Sequence, residues 1–211
     1  AGRDSERVPD ALLHMVACYD HATGLVSRPT LILDKETVDA HDNPVISLDD
    51  RGFIWVFSTS HGRSRPSFIS RSVMPHDVTA FEMVRATRRE EDRDVPFDNF
   101  SYMQVRHLPG IGFVAFFTRY GAPAERTPGF ITSVDGVTWS RWQPLAAIEK
   151  GHYAVSEVTP QRAGMAFNYH PDPLGLNYRT NLYYIETTDL GETWHAADGT
   201  TVRVPLTEKH N

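Results

Sequence analysis

Apolar residues occur along the chain in short runs that turn-forming residues separate. The runs are rich in Val, Ile, Phe, Tyr, Thr and Trp, and Gly, Pro, Asp and Asn lie between them. The clearest hairpin spans 44–58, where two apolar runs flank Asp49-Asp50-Arg51-Gly52. Glycine there can take the positive φ that a tight turn requires. The pattern predicts an all-β chain, because helical periodicity is hard to find.

The hairpin recurs at intervals of about 50 to 60 residues, at 101–118 and at 153–169. A second pair of strand-like runs follows each hairpin: 67–73 with 81–85, 129–133 with 138–142, and 181–186 with 193–194. A four-stranded antiparallel unit that repeats in this way is typical of a β-propeller blade. The predicted units are a remnant of a preceding blade at 1–36 and successive blades at 37–95, 96–148 and 149–205.

About three and a half blades do not close a ring, and an open ring leaves sheet edges exposed. We therefore expect the chain to be part of a longer propeller, or to be completed by a second chain. Two segments sharpen the fold prediction, 133–139 (SVDGVTW) and 187–194 (TTDLGETW). Both resemble the Asp box, a hairpin turn in which Asp accepts from turn amides, Gly takes the strained position and Trp packs between strands. These motifs predict fold and carry no chemistry.

Candidate functional residues come from the geometry of the repeat. In an antiparallel hairpin, the start of the first strand and the end of the second lie at the same end, so equivalent positions of successive blades converge. These positions hold His41 and His61, Tyr102 and Arg119, and Tyr153 and His170. Imidazoles, phenols and a guanidinium together can supply an acid, a base and an anion-binding group.

The segments 41–62, 116–119 and 178–194, together with Tyr102, resemble the BNR-repeat-containing propellers that include the ulvan lyases. The resemblance extends from about His41 to Pro205 and implies a seven-bladed propeller. It also implies a site made of two His about twenty residues apart, a Tyr on the next blade and an Arg after it. Here His41 and His61 are 20 residues apart, and Arg119 follows Tyr102 by 17.

The activity that the resemblance implies is β-elimination in an anionic, uronic-acid-containing glycan. Such a lyase removes the C5 proton beside the carboxylate and expels the group on C4, so the charge that develops must be neutralised. Arg119 is the expected neutraliser, His41 or His61 the base with the other His helping to hold the carboxylate, and Tyr102 the acid. Further substrate-binding candidates are Asn43, Arg63, His170, Tyr178 and Arg179.

Two other functions remain open at this point. A sialidase-type glycoside hydrolase would need a carboxylate acid at the mouth, and Asp42 and Asp98 are the only candidates near the right strand ends. A noncatalytic propeller would only bind glycan. The products distinguish the three functions. A lyase leaves an unsaturated sugar, a hydrolase adds water to the cleaved bond, and a binding propeller leaves the polymer intact.

Composition narrows the partners of the protein. The 211 residues are 40% hydrophobic, enough for a real core, and no apolar run approaches the length of a membrane span. The net charge is −6 with scattered basic residues, which does not favour nucleic acid. The single Cys18 excludes an internal disulfide and is expected to be a structural, buried thiol.

The predicted partner is an anionic polysaccharide, with no nucleic acid and no membrane. No cofactor is expected, and no ligand spacing specifies a metal site. We expect a secreted or periplasmic protein, because the predicted substrate is a polymer.

Overall fold

A computed structural model describes residues 2–3, 12–121 and 123–209 of the chain. These residues form strands, turns and loops without any helix. The described part of the chain therefore contains no helix that could cross a membrane. The strands are β1 Gly2–Arg3, β2 Leu12–Val16, β3 Tyr19–Asp20, β4 Leu25–Val26, β5 Thr30–Asp34, β6 Pro44–Leu48, β7 Ile54–Ser58, β8 Phe68–Ser72, β9 Phe81–Val84, β10 Thr87–Glu90, β11 Arg93–Pro96, β12 Ser101–Leu108, β13 Gly112–Tyr120, β14 Arg126–Ser133, β15 Thr138–Arg141, β16 Gln143–Pro144, β17 Ala154–Val158, β18 Ala163–Tyr169, β19 Thr180–Thr187, β20 Trp194–His195 and β21 Thr201–Val202.

Successive antiparallel sheets follow one another along the chain. The larger ones are ordered β1-β2-β5, β6-β7-β8-β9, β12-β13-β14-β16 and β17-β18-β19-β20-β21, and β3 pairs with β4. All three predicted hairpins are confirmed, since β6 pairs antiparallel with β7, β12 with β13 and β17 with β18. An all-β chain is therefore confirmed, while the propeller arrangement and its blade count stay predictions.

The strand 138–142 is the clearest departure from the predicted pairing. It was expected to pair within its own unit, but β15 pairs in parallel with β10, and β10 pairs with β11, in a small separate sheet. The fourth strand beside β14 is β16 instead. The cause is the burial of Trp139, which is 1% exposed and packs with Phe57 of the preceding sheet and with Phe97 just after β11. The sheet β17-β18-β19-β20-β21, which corresponds to the predicted blade at 149–205, has five strands where four were predicted.

The core consists of two clusters on the two faces of β13. Side chains alternate across a strand, so Phe116 and Phe117 point to opposite faces. Phe117 packs in a cluster with Phe57 and Trp139, while Phe116 packs in the other cluster with Trp194. Each such side chain contributes about 1.5–3 kcal/mol when it is fully buried. The central sheet is thus packed on both faces, and this packing determines to which face each side chain of β13 points.

The two Asp-containing turns have similar hydrogen bonds. Asp135 Oδ1 accepts from the backbone N–H of Thr138 at 2.7 Å, and Asp189 Oδ1 accepts from that of Thr193 at 2.9 Å. Gly136 lies at φ 74° and Gly191 at φ 96°, in the region that favours glycine. The Trp that ends each motif is buried, as predicted.

One expectation about the N-terminal part is wrong. Cys18 is exposed, in a short loop between β2 and β3, so it is not a buried structural thiol. Cys18 is exposed because β2, whose first residues are buried, ends at Val16, and both strands of the hairpin β3–β4 that follows are exposed.

Candidate active site

Three side chains from two neighbouring sheets meet at one end of the strands. His41 lies in the loop that leads into β6, His61 in the loop after β7, and Tyr102 near the start of β12. The two imidazoles are stacked with centroids 4.3 Å apart, and the Tyr102 ring stands edge-on to them at 6.3 Å and 6.0 Å. The predicted convergence of these three residues is therefore present in the structure.

Asp39 orients both imidazoles. Its Oδ1 lies 2.8 Å from Nδ1 of His41, and its Oδ2 lies 2.9 Å from Nδ1 of His61. An ionised carboxylate only accepts hydrogen bonds, so both rings must donate from Nδ1. Burial opposes ionisation of Asp39, but the hydrogen bonds from His41 and His61 outweigh it and lower the pKa of this carboxyl. In the neutral rings Nε2 then carries the lone pair and is able to accept a proton.

A buried ion-pair network lies under these loops. Asp42 is fully buried and accepts two hydrogen bonds from Arg65, each 2.9 Å long. Lys35 Nζ lies 3.6 Å from the same carboxylate, and the backbone N–H of His61 donates to it at 2.7 Å. Because a buried charge is costly unless it is paired, this network fixes the loop that carries His61.

Tyr102 is held in an unusual backbone conformation. Its φ is +51°, where a bulky residue is rare, and the register between β12 and β13 is irregular between Ser101 and Gln104. Its hydroxyl oxygen is buried and has no hydrogen-bond partner among the described residues. Burial raises the pKa of Tyr102, and the nearby hydroxyls of Tyr120 and Tyr153 add to the effect. The phenol is therefore protonated, and its hydroxyl lies close to those of Tyr120 and Tyr153.

A second group of side chains extends the cluster toward the next sheet. Tyr153 stands edge-on to Tyr102 at 5.6 Å, and its hydroxyl accepts from Nη1 of Arg126 at 2.9 Å. The Arg179 guanidinium lies 4.8 Å from the centre of the Tyr153 ring. Burial opposes ionisation of Tyr153, but the Tyr102 hydroxyl and the charges of Arg126 and Arg179 outweigh it and lower the pKa of Tyr153. This side of the cluster is therefore positively charged.

His170 lies behind Tyr153, with its ring 5.1 Å away. It is fully buried, and its Nδ1 lies 2.9 Å from the carbonyl oxygen of Tyr178. Burial lowers the pKa of His170, and the charges of Arg126 and Arg179 lower it further, so the ring is neutral. Its Nε2 is buried without a partner among the described residues. The Tyr178 side chain itself is 57% exposed.

The structure does not bring Arg119 into this cluster. Its guanidinium lies 4.7 Å from the ring of Trp142, and it makes no hydrogen bond or ring contact with His41, His61 or Tyr102. The adjacent Tyr120 points to the cluster instead, 5.7 Å from the His61 ring. Neighbouring residues of a strand face opposite sides, so the predicted position is displaced by one residue. Asn43 and Arg63 are exposed in the loops that carry the two His.

Three residues of the cluster were not among the predicted site residues: Asp39, Tyr120 and Arg126. Asp39 stands two residues before His41, and Tyr120 follows Arg119 directly. Arg126 begins β14, and the start of a third strand lies at the same end of a sheet as the end of the second. That rule could have found Arg126 in the sequence.

The same residues can be considered as metal ligands. Asp39, His41 and His61 each offer one ligand atom, and these atoms all lie within 4.8 Å of one another. The sequence spacing did not reveal this group. Both Nδ1 atoms already face the Asp39 carboxylate as hydrogen-bond donors, so an ion between them would have to displace these hydrogen bonds. The arrangement fits oriented imidazoles better than a preformed metal centre.

Comparison with known proteins defines the class. The family model described as "BNR repeat-containing family member" matches residues 15–211, and the chain belongs to this BNR repeat family. No curated protein matches it. The resemblance inferred from the sequence is thus confirmed.

Solved structures of a polysaccharide lyase share the fold. An ulvan lyase of family PL25 is 20% identical, with a TM-score of 0.74, and the match covers 92% of this chain and 51% of that one. A structure of PL25 ulvan lyase bound to -[GlcA(1-4)Rha3S]- is 19% identical, with a TM-score of 0.73 and the same coverage. The chain thus spans about half the length of these lyases.

Proposed function

We propose that the protein is a polysaccharide lyase that cleaves an anionic, uronate-containing glycan by β-elimination. The observation that carries the proposal is the buried Tyr102 hydroxyl, which has no hydrogen-bond partner among the described residues and lies beside two imidazoles held by one carboxylate. The fold shared with ulvan lyases supports it, as does the ulvan lyase structure whose bound ligand contains a glucuronate unit.

The proposed step uses one base and one acid. Nε2 of His41 or His61 takes the C5 proton, the electron pair of that bond forms the C4–C5 double bond, and the C4–O bond breaks. The leaving oxygen receives the proton of Tyr102, whose raised pKa keeps that proton in place until the oxygen becomes basic. Burial of the hydroxyl strengthens the hydrogen bond because the local dielectric constant is low.

Neutralisation of the uronate carboxylate is assigned to Arg126 and Arg179 in place of Arg119. Arg126 donates to Tyr153 beside Tyr102, and Arg179 lies over the same ring. A guanidinium can bind a carboxylate through two parallel hydrogen bonds and keeps its charge at any working pH. Asn43, His170 and Tyr178 stay candidates for contacts with neighbouring sugar hydroxyls.

A hydrolase is less consistent with the geometry. Asp42 is hydrogen-bonded to Arg65 and ion-paired with Lys35. Asp39 accepts hydrogen bonds from the two imidazoles. Asp98 is exposed in the loop before β12. The sialidase-type hydrolase considered above needs a carboxyl group that is free to act as the acid, and none of these three is both free of partners and in contact with the cluster.

The finer points of fold and location follow from the same proposal. We assign the successive four- and five-stranded sheets to blades of a seven-bladed propeller whose Asp-containing turns are Asp boxes. A polymeric substrate of this kind is met outside the cytoplasm, so a secreted or periplasmic location is part of the proposal.

The test is the ultraviolet absorbance of the unsaturated product during incubation with ulvan and with other uronate-containing polysaccharides. The full chain should produce rising absorbance with at least one of them, and Tyr102→Phe should abolish the rise. Tyr19→Phe is the matched control, because Tyr19 is an exposed tyrosine on β3. Equal rates for Tyr102→Phe and the native chain would overturn the assignment of the acid.

A further inference from the structure

A second feature lies beside the candidate active site. A cavity of about 1340 Å³ is lined by Tyr120, Arg63, Arg119, Trp142 and Asn99 among other residues. Five arginines (Arg63, Arg88, Arg89, Arg119 and Arg141) and four carboxylates (Glu90, Glu91, Asp189 and Glu192) line it, so positive charge exceeds negative by one. Tyr120 also touches the His61 ring, so the cavity is continuous with the edge of the catalytic cluster. Its volume is larger than most small-molecule pockets, and a sugar unit next to the one being cleaved would reach it.

Arg119 has no ion-pair partner at contact distance in this cavity, although Glu90 and Asp98 act on its charge from farther away. It forms no ion pair and no hydrogen bond with any described residue, and its Nε is buried. Trp142 holds the guanidinium from one side at 4.7 Å, a cation–π distance. The nearby Arg88 is already paired with Glu90 at 3.1 Å. A partly buried charge is costly unless an opposite charge meets it. Because Glu90 and Asp98 make no direct contact with Arg119, its guanidinium N–H groups are available to an anionic group of a ligand.

Other groups in the cavity suit a sugar. Asn99 Oδ1 is buried without a partner among the described residues and can accept from a sugar hydroxyl. Arg63 packs against Gly121, where a Cβ would lie only 2.8 Å from its Nη1. Gly121 has a φ of +109°, so this close approach of Arg63 depends on glycine at that position.

We propose that this cavity is an anion-binding sugar subsite, in which Arg119 and Arg63 hold an oxyanion of a glycan unit adjacent to the cleaved bond. The oxyanion is a sulfate or a carboxylate, since both match the planar fork of a guanidinium. The inference rests on the proposed function for the kind of polymer that is bound. It gives Arg119 a binding role away from the reacting atoms.

The test is calorimetric titration of a sulfated ulvan oligosaccharide, and of its chemically desulfated form, into a Tyr102→Phe chain that does not cleave them. Adding Arg119→Gln should weaken binding about tenfold or more, as expected for a lost charge-assisted hydrogen bond. Arg85→Gln is the matched control, because Arg85 is exposed and does not line the cavity; it should leave binding within about twofold.

The two probes identify the oxyanion. If it is a sulfate, desulfation and Arg119→Gln should each remove the same affinity, with no further loss when they are combined. If it is a carboxylate, the native Arg119 chain should bind both probes equally and Arg119→Gln should weaken both. Undiminished binding in Arg119→Gln, or no binding of either probe to the chain with Arg119, would overturn the subsite.

Two further measurements keep the outcome interpretable. Should Arg119→Gln lose its melting transition, Arg119→Lys keeps the charge without the fork and should lose part of the affinity, and full affinity there would contradict the proposal. The rate of double-bond formation is measured separately with Tyr102 intact. If binding depends on Arg119 but no double bond forms, the lyase activity is refuted and the subsite is retained. If double bonds form but binding does not depend on Arg119, the subsite is refuted and the lyase activity is retained.

Discussion

Replacement of Asp39 by Asn tests how the two imidazoles are oriented. The carboxylate now accepts from Nδ1 of both His41 and His61, at 2.8 Å and 2.9 Å. An amide has one carbonyl oxygen and one NH₂ group, so it can accept from only one of the rings. The other ring faces the NH₂ group of the new Asn, which donates a hydrogen bond. Its Nδ1 must therefore accept that bond with its lone pair, and the ring proton moves to Nε2. That imidazole can no longer accept a proton at Nε2.

The expected size of the effect follows from one lost charge-assisted hydrogen bond. Such a bond contributes about 1.5–3 kcal/mol, and each 1.36 kcal/mol in the barrier is tenfold in rate. Asp39→Asn should therefore lower kcat about 10- to 150-fold. Because Asp39 touches the imidazoles and not the substrate, KM should change little.

The assay is the initial rate of ultraviolet absorbance over a range of substrate concentrations, with the melting temperature measured in parallel. Asp77→Asn is the control, since Asp77 also accepts a backbone N–H, from Thr79 at 2.8 Å, but in an exposed turn. A kcat for Asp39→Asn within twofold of the native value, with an intact melting transition, would refute the orienting role.

Three further predictions concern the cluster and the fold. Arg126→Lys should lower kcat/KM at least tenfold in the same absorbance assay, because a point charge does not reproduce the planar guanidinium; a normal value would remove Arg126 from the site. Burial lowers the pKa of His152 to about 4, so the neutral ring contributes stability that is present above about pH 6.5 and is lost as the pH falls toward 4. This loss, about 3 kcal/mol at most, should be visible in urea unfolding and shrink in His152→Gln; an unchanged pH dependence in that variant would contradict it. Asp189→Ala removes the acceptor of the Thr193 N–H and hydroxyl and should lower the free energy of unfolding by about 1–3 kcal/mol; an unaltered melting temperature would show that the turn does not need the carboxylate.

The hairpins were predictable because their signal is local. Alternating apolar runs around Gly52 or Pro109-Gly110 specify a strand, a turn and a strand within fifteen to twenty residues. The convergence of His41, His61 and Tyr102 followed from the same local units, since strand ends of equivalent hairpins lie at one end of the sheets. These features need no knowledge of how the sheets pack.

The features that escaped prediction depend on register and on contacts between sheets. Arg119 and Tyr120 are adjacent polar residues at the end of β13, and only the folded arrangement of the neighbouring sheets brings Tyr120, not Arg119, to the His61 ring. The parallel pairing of β15 with β10 likewise depends on the burial of Trp139 against another sheet. A sequence pattern with a period of two does not show which of two adjacent polar residues faces a site, nor which strand of another sheet a given strand will pair with.

The central claim is that bond cleavage at the His41, His61 and Tyr102 cluster is an elimination. The most direct measurement is mass spectrometry of the products formed from a uronate-containing oligosaccharide in ¹⁸O-labelled water. The account predicts an unsaturated product whose mass shows loss of the leaving group without gain of water, and no ¹⁸O in either fragment. Saturated products that carry ¹⁸O would show hydrolysis and contradict the claim.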